Sequence, residues 1–325
     1  MATLITGGCG FIGLSIAERL IADGEAVVLF DVAPPAGNIM ARRELTGATV
    51  ITGDIRNTTD IDRALAHDGI DRVIHTAAMT PNAARERDDP HGILAVNMLG
   101  TVNLVDRAAA MPAIKRVTVL SSVAVYGFSQ PAPSGLLEED LSPLAPLALY
   151  GISKVAAEQS ALRIAQLRGI DVRVIRLGPV FGPWELPSAV RDALSPHHQI
   201  LAMAHDGVEA ILPRSMAGDW IYSRDAAEGI ARISNGTALR HSVYNVSGGV
   251  MTDVPQWCAI VAKRFEGFRW KLGSEGDGNI VYGLLKDRAA LSIARLGEDT
   301  GFQPSRTLEA AASDYLGWIA AGAGA

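Results

Sequence analysis

The sequence lacks most of the features that mark membrane, nucleic-acid-binding or disulfide-stabilised proteins. Only two of its 325 residues are cysteine, and Cys9 and Cys258 lie too far apart for a disulfide framework or a metal-binding motif. The formal net charge of −6 does not favour non-specific binding to nucleic acid or to a membrane surface. No apolar run is long enough to span a bilayer, and a strand pattern that starts at residue 2 leaves no room for a signal peptide. We therefore expect a cytoplasmic protein with no metal site and no nucleic-acid or membrane partner.

Short apolar strands alternate with helical patterns through the first half of the chain. The composition, 48% hydrophobic and 20% charged, is that of a globular protein. The patterns predict strands over residues 2–5, 26–30, 48–51, 72–75, 116–120 and 172–177, and helices over residues 11–22, 59–66, 91–110 and 150–168. Such alternation predicts an α/β fold with a Rossmann-type, doubly wound parallel sheet.

A glycine-rich turn joins the first predicted strand to the first predicted helix. Glycines at positions 7, 10 and 13 allow a sharp turn, a close approach of a ligand, and a helix N-terminus that faces a phosphate. The second strand ends on Asp31, which lies 18 residues beyond Gly13, near the spacing of a carboxylate that binds a ribose 2′-hydroxyl. This combination predicts a dinucleotide-binding site.

Tyr150 and Lys154 open the helix after the loop 128–148 and project from one helix face, because they are four residues apart. A phenol is a poor base at neutral pH, but a neighbouring ammonium and an oxidised nicotinamide would lower its pKa. Ser122, at the end of a central strand, can donate a hydrogen bond to the same substrate oxygen. These three residues are the predicted catalytic group, with Tyr150 as the general base.

The alternation breaks beyond Leu177, where proline and glycine become frequent. We expect loops and short helices, then a strand over residues 243–246 and helices over residues 254–265, 289–296 and 307–320. Residues 1–177 are predicted to form an NAD-binding Rossmann domain that carries the catalytic group. Residues 178–325 are predicted to form mainly a smaller C-terminal substrate-binding lobe, with the strand near 243–247 a candidate to return to the main sheet.

Three segments together resemble the extended short-chain dehydrogenase/reductases of the NAD-dependent sugar epimerase/dehydratase family. They are Thr6-Gly-Gly-Cys-Gly-Phe-Ile-Gly13, Ser121-Ser-Val-Ala-Val-Tyr-Gly127 and Tyr150-Gly-Ile-Ser-Lys154. The resemblance implies NAD as cofactor, and Asp31 favours NAD over NADP because a carboxylate repels the extra phosphate. The cofactor-binding residues that it implies, with those of the glycine turn, are Gly7, Gly10, Phe11, Ile12, Gly13, Asp31, Asp54, Ile55, Thr76, Ala77, Ala78, Asn97, Tyr150, Lys154, Gly178 and Val180.

Two departures from the family pattern narrow the chemistry. Sugar dehydratases and decarboxylases of the family carry acidic residues where this chain has Val123 and Ala124, so dehydration and decarboxylation are not expected. Nucleotide-sugar enzymes place an arginine where this chain has Gly218, and Arg214 lies out of register. Trp184, Arg191 and Arg214 are therefore predicted as contacts for a smaller carbohydrate substrate, in a region that also holds Glu185, His197 and His198.

The resulting prediction is an NAD-dependent oxidoreductase that transfers a hydride at a secondary hydroxyl of a sugar or sugar acid. Ser122 would hold the reacting oxygen, and Lys154 would hold the ribose and lower the pKa of Tyr150. One alternative is a nucleotide-sugar 4-epimerase of the UDP-hexose type that retains NAD. A second alternative is a non-catalytic NAD-sensing protein. A homodimer is also predicted, since the helices over residues 91–110 and 150–168 carry apolar residues on more than one face.

Overall fold

The centre of the fold is a parallel sheet in a computed structural model that describes residues 1–35, 37–188, 190–274, 276–284 and 286–323. Across these residues the strands are β1 Ala2–Thr6, β2 Ala26–Asp31, β3 Thr49–Thr52, β4 Ile70–His75, β5 Arg116–Ser122, β6 Asp171–Leu177, β7 Val180–Phe181, β8 Ala210–Leu212, β9 Ile221–Tyr222, β10 Val243–Val246 and β11 Trp270–Leu272. Seven of them form one sheet in the order β10-β6-β5-β4-β1-β2-β3, and every pairing in it is parallel. The predicted Rossmann-type fold is thus confirmed.

Helices cover both faces of this sheet. They are α1 Phe11–Ala22, α2 Thr58–Leu65, α3 Ala83–Asp88, α4 Pro90–Leu94, α5 Gly100–Ala109, α6 Leu149–Arg168, α7 Pro196–His205, α8 Ser223–Asn235, α9 Val254–Ala262, α10 Ala294–Thr300 and α11 Leu308–Trp318. Successive strand residues point to opposite faces, so Ile5 packs in the core beneath α1 and α8, while Leu4 packs beneath α2, α5 and α6. Parallel strands are stable in this arrangement because both of their faces are dry.

The predicted helix over residues 91–110 is interrupted, and the one over residues 289–296 begins later than expected. A π-helical turn, Ala95–Leu99, separates α4 from α5. Residues 289–293 lie outside α10, because the Leu291 backbone bridges Leu137 and donates its N–H to Asp219 Oδ2 at 2.8 Å. The helical prediction for that stretch was wrong, since these long-range hydrogen bonds outweigh the local preference of an Ala- and Leu-rich sequence.

The C-terminal third contributes to the main layers as well as to the smaller lobe. Strand β10 pairs with β6 at one edge of the sheet, and α8 packs against α1. Helix α8 is 13 residues long, in a region where the sequence predicted loops and short helices. A division into two domains at residue 177 stays a prediction. In the described part of the chain, no helix combines the length and apolar character needed to cross a membrane.

Candidate active site

The glycine turn leaves the N-terminus of α1 open at the carboxyl edge of the sheet. Gly7 has a φ of +67°, and a Cβ there would lie 2.5 Å from the backbone nitrogen of Ala77. A Cβ on Gly13 would lie 2.4 Å from the carbonyl oxygen of Gly7. No side chain caps α1, whose N-cap residue is Gly10. This bare cradle of backbone, with unpaired helix N–H groups, fits the pyrophosphate of a dinucleotide.

Asp31 lies beside that cradle, at the end of β2. Its carboxylate accepts hydrogen bonds from the backbone N–H of Cys9 at 3.0 Å and of Val32 at 2.8 Å. Burial raises the pKa of Asp31, and these backbone donors oppose the rise. Each carboxylate oxygen keeps acceptor capacity, so Asp31 can accept further hydrogen bonds, and its contact with a ribose stays a prediction.

The turn after β4 is fixed to the glycine turn through side-chain hydrogen bonds. Thr76 Oγ1 donates to the carbonyl oxygens of Thr6 at 2.8 Å and Gly7 at 3.1 Å, and Ala77 and Ala78 are half-buried beside them. His75 is buried between the hydroxyls of Thr6 and Thr101, and burial lowers the pKa of His75 to about 3. His75 is therefore a neutral core residue whose two ring nitrogens are both hydrogen-bonded.

The side chains of several other predicted cofactor residues form hydrogen bonds, ion pairs or packing contacts within the protein. The Asn97 amide bonds Met79 N, Met79 O and Ser153 Oγ at 2.8 to 3.1 Å, so it supports the turn after β4. Asp54 is paired with Arg56, which lowers the pKa of that carboxyl. Ile55, Gly178 and Val180 line the same edge of the sheet: Ile55 and Val180 are buried, and a Cβ on Gly178 would lie 2.0 Å from Ser247 Oγ.

Ser122, Tyr150 and Lys154 lie together where β5 ends and α6 begins. Ser122 Oγ accepts a hydrogen bond from Ala124 N at 3.1 Å, which leaves its hydroxyl hydrogen free to donate. Lys154 Nζ donates to the carbonyl oxygen of Leu120 at 2.8 Å and lies 5.9 Å from the centroid of the Tyr150 ring. The structure thus brings the predicted base, hydrogen-bond donor and ammonium into one cluster.

Burial and neighbouring groups shift the pKa values of Tyr150 and Lys154, and a lowering of the Tyr150 pKa by Lys154 stays a prediction. Burial raises the pKa of Tyr150, while a hydrogen bond with Ser122 and the charge of Arg191 lower it. Burial also lowers the pKa of Lys154 to about 8, and the nearby Glu158 carboxylate opposes that change. The charge of Arg191 therefore favours the ionised form of Tyr150.

The three predicted substrate residues lie in different surroundings. Trp184 is 1% exposed, donates to Glu18 at 2.5 Å and packs edge-on against Trp318, which argues against a contact with substrate. Arg191 extends over the ring of Phe11, at 5.0 Å from its centroid, and therefore borders the cleft. Arg214 forms an ion pair with Asp287 and donates a hydrogen bond to the carbonyl oxygen of Leu284.

A small cavity of about 40 Å³ continues the cleft beyond Ser122. Its walls are Val123, Pro179, Ala217, Gly218, Asp219, Tyr282, Leu284, Arg288, Ala289 and Leu291. Apart from Val123 and Gly218, the wall residues were not identified from the sequence, and they include Tyr282 and Arg288. Tyr282 and Arg288 come from a loop without periodicity, and Arg288 Nε donates to the carbonyl oxygen of Gly127 at 2.7 Å, across 161 residues of sequence.

Three basic side chains lie near this cavity. Arg214 lies 5.4 Å from the ring centroid of Tyr282, and Lys286 and Arg288 lie 4.5 and 5.6 Å from that of Phe128. Among the described residues, neither Lys286 nor Arg288 forms an ion pair, whereas Asp287 is paired with Arg214. Of these cations only Arg288 lines the cavity, and a cation without an acidic partner on a cavity wall is suited to an anionic ligand.

Comparisons with known proteins identify the family and the fold. The sequence profile of the NAD dependent epimerase/dehydratase family matches residues 3–247. A probable UDP-glucuronate 4-epimerase of Rhizobium meliloti is 25% identical over 98% of this chain and 96% of its own length. A putative UDP-glucose 4-epimerase of Methanocaldococcus jannaschii is 26% identical over 97% of each protein. The solved structure of MoeE5 in complex with UDP-glucose and NAD superposes with a TM-score of 0.78 and 23% identity over 99% of both chains, and so has the same fold.

Proposed function

The chain belongs to the NAD-dependent epimerase/dehydratase family, and on that premise we propose that it is an NAD-dependent dehydrogenase of a small carbohydrate acid. The observation that carries the proposal is the cavity wall next to the Ser122–Tyr150–Lys154 cluster. Val123 and Arg288 lie on this wall, and Arg288 has no acidic partner among the described residues. The wall also holds one carboxylate, Asp219, whose Oδ2 accepts the N–H of Leu291. This wall favours binding of an anionic alcohol over elimination of water, which needs an acid next to the base.

The chain's own residues account for the proton and oxygen in such an oxidation. Tyr150, as the phenolate, takes the proton of the substrate hydroxyl, and Ser122 donates a hydrogen bond to the same oxygen. The glycine turn and Asp31 would hold the cofactor, while Lys154 would bind its nicotinamide ribose. NAD, when bound, accepts the hydride from the carbinol carbon.

The anionic end of the substrate is assigned to Arg288. Its guanidinium is half-buried, and burial lowers its pKa, so binding a carboxylate there restores a favourable environment for the charge. Arg214 is already paired with Asp287, and Trp184 is buried in the core. We therefore no longer propose either residue as a direct contact of the substrate. Tyr282, on the same wall, offers a phenol to a substrate hydroxyl.

A nucleotide-sugar 4-epimerase is the second candidate. It is favoured by the two relatives named as 4-epimerases, and the same cations could bind a diphosphate. An epimerase would use Ser122, Tyr150 and Lys154 in the same roles but would return the hydride to the other face and retain its NAD. The two candidates therefore differ in whether NADH accumulates.

The test follows NADH absorbance with purified protein, added NAD and three matched panels. These are sugar acids, the corresponding neutral sugars or lactones, and UDP-, GDP- and dTDP-sugars. We expect sustained NADH formation with an acid, weaker formation with its neutral counterpart, and none with Tyr150→Phe. Conversion of a nucleotide sugar to its epimer without net NADH would replace the proposal with the second candidate. NAD binding without turnover in any panel would favour the non-catalytic NAD-sensing alternative.

We also propose a homodimer formed through the α5–α6 face. Leu99, at the end of the π-helical turn, is 49% exposed, and Ile152 on α6 is 46% exposed. Exposed aliphatic side chains on these packed helices favour a second copy as their partner. Light scattering at micromolar concentration should give twice the chain mass, and Ile152→Glu should reduce it to one. The cytoplasmic location expected from the sequence stays a prediction.

A further inference from the structure

A buried carboxylate holds the loop that follows Trp184. Glu185 is fully buried, and its side chain accepts three hydrogen bonds. The donors are Arg191 Nη2 at 2.5 Å, Ser195 N at 2.7 Å and Ser195 Oγ at 2.6 Å. Arg191 Nε donates in turn to the carbonyl oxygen of Ala193 at 3.0 Å. Because a buried carboxylate is stable only when it is paired and hydrogen-bonded, these bonds fix the guanidinium of Arg191.

The guanidinium of Arg191 lies over the first residue of α1. Its central carbon is 5.0 Å from the centroid of the Phe11 ring, which is a cation–π distance. Phe11 follows Gly10, the N-cap residue of α1, and no side chain caps this end of the helix. The side chain of Arg191 is 24% exposed, so the protein does not enclose it. Arg191 thus stands at the helix end whose free N–H groups fit a pyrophosphate.

The backbone of Arg191 is joined to the segment that follows β4. Arg191 and Thr80 form a parallel β-bridge, and Asp192 N donates to the carbonyl oxygen of Thr80 at 3.2 Å. Thr76, at the start of the same segment, donates through its hydroxyl to the carbonyl oxygen of Gly7 at 3.1 Å. The loop that carries Arg191 therefore contacts both α1 and the segment after β4, the two elements that border the predicted cofactor site.

Arg191 keeps hydrogen-bond donors for a ligand. A guanidinium has five N–H groups, and the hydrogen bonds to Ala193 and Glu185 use Nε and Nη2. Nη1 has no hydrogen-bond partner in the part of the chain that the structure describes. The glycine turn has no basic residue of its own, since the first in the sequence is Arg19, in the last turn of α1. Arg191 therefore supplies a cation to a helix end that otherwise lacks one in its own sequence.

The position of Arg191 suits the cofactor better than the substrate. Among the described residues, the walls of the cavity beyond Ser122 do not include Arg191, whereas its guanidinium contacts Phe11 at the start of α1. The pyrophosphate of NAD carries two negative charges, and a helix N-terminus offers only about half an elementary charge. The planar fork of a guanidinium matches phosphate oxygens and would balance much of the remainder.

We propose that Arg191 is a cofactor-binding residue whose guanidinium binds the pyrophosphate of NAD at the glycine turn, and that Glu185 is the positioning residue that holds it there. The inference concerns the cofactor that the family uses, and it does not depend on which carbohydrate is the substrate. It replaces the prediction of Arg191 as a substrate contact, and it gives the buried Glu185 a function beyond packing.

The test measures binding of three ligands by calorimetry, with purified protein freed of bound nucleotide and with no substrate. NAD and ADP-ribose carry the pyrophosphate, and adenosine, measured by competition with ADP-ribose, does not. The variants are Arg191→Met, Arg191→Lys, Glu185→Gln and the double variant Glu185→Gln/Arg191→Met, which leaves no unpaired carboxylate in the core. Arg240→Gln is the control, because it removes one arginine charge from an exposed pair with Glu298 and Asp299.

We expect Arg191→Met and the double variant to weaken binding of NAD and ADP-ribose by roughly ten- to a hundredfold, the cost of a hydrogen bond to a charged group. Binding of adenosine should stay the same, and the control should bind all three ligands as the wild type does. Arg191→Lys should lie between, because lysine keeps the charge but not the fork. Glu185→Gln should weaken binding of NAD and ADP-ribose, because Arg191 is released. Tighter binding of NAD in Glu185→Gln would mean that Glu185 acts only through its own charge, and would overturn the positioning role.

Two results would overturn the whole inference. An equal loss of affinity for all three ligands would show that Arg191 only shapes the loop, and unchanged affinities would exclude the contact with the pyrophosphate. If Arg191→Met fails to fold, the double variant tests the same claim. Because the ligands are measured without substrate, a protein that is inactive in the substrate panels can still show the effect, and an active dehydrogenase can lack it.

Discussion

His197 tests whether the start of α7 belongs to the core or to the substrate pocket. Its side chain is 1% exposed and stacks on Phe181, with 4.0 Å between ring centroids. Trp220 and Trp257 approach its ring edge-on at 4.7 and 5.0 Å. Neither ring nitrogen has a hydrogen-bond partner among the described residues, and burial lowers the pKa of His197 to about 3. These surroundings indicate a core residue.

Because its pKa is lowered in the folded protein, His197 makes a contribution to the free energy of unfolding that depends on pH. In the unfolded chain the histidine titrates near 6.5, so between pH 6.5 and about 3 the unfolded state binds a proton that the native state does not. The contribution of His197 to stability is therefore complete above pH 6.5 and is lost as the pH falls. The slope is about 1.4 kcal/mol per pH unit, so about 2 kcal/mol is lost between pH 8 and pH 5.

The substitution His197→Phe should remove this loss, because phenylalanine stacks in the same aromatic cluster without a titrating group. Urea unfolding at pH 8 and pH 5 gives two free energies for each protein, and their difference should be about 2 kcal/mol smaller in the variant. His67→Gln, which removes an exposed imidazole, is the control. An equal pH-dependent loss in His197→Phe and wild type would refute the reasoning, and a several-fold change in KM would instead place His197 in the pocket.

Three further predictions concern the cleft. Gly13→Ala should weaken NAD binding at least tenfold by calorimetry, because the new Cβ meets the Gly7 carbonyl oxygen at 2.4 Å and both are backbone-fixed. Asp31→Asn should weaken NAD binding by roughly ten- to a hundredfold, the cost of a charged hydrogen bond, without weakening NADP binding, and an equal loss for both cofactors would contradict the role of Asp31. Arg288→Met should raise KM for an acidic substrate by roughly tenfold or more while largely preserving kcat, and an unchanged KM in steady-state assays would exclude Arg288 as the anion contact.

The sequence could predict those parts of the site whose residues lie close together along the chain. The glycine turn and Asp31 lie in one strand–helix–strand unit, whose spacing is set by backbone geometry. Tyr150 and Lys154 are four residues apart on a helix, so their shared face follows from the helical repeat. For these residues a short stretch of sequence contains nearly all of the information about where the side chains lie.

The parts that the sequence could not predict depend on long-range contacts. Arg288 faces the cleft because its guanidinium is anchored on Gly127, and nothing in the neighbouring sequence marks that partner. Trp184 and Arg191 lie seven residues apart and were given the same role, yet one is in the core and the other borders the cleft. What separates them is the buried Glu185, whose hydrogen bonds fix the course of the loop. The residue types in this loop do not indicate which of its side chains face the core and which face the cleft.

Under the proposed function, the residues that distinguish a dehydrogenase from an epimerase are those of the cleft wall, since the proposed catalytic residues are the same in both. Ser122, Tyr150 and Lys154 would serve a dehydrogenase and an epimerase equally, since both begin by removing a proton and a hydride from the same carbinol. At position 123 this chain has valine where dehydratases of the family carry an acid for elimination. At position 218 it has glycine where nucleotide-sugar enzymes carry an arginine that binds the diphosphate. Arg288 restores a positive charge at another point of the same wall. Under the proposed function, a wall that has Arg288 in place of an arginine at position 218 binds the carboxylate of a sugar acid rather than a diphosphate.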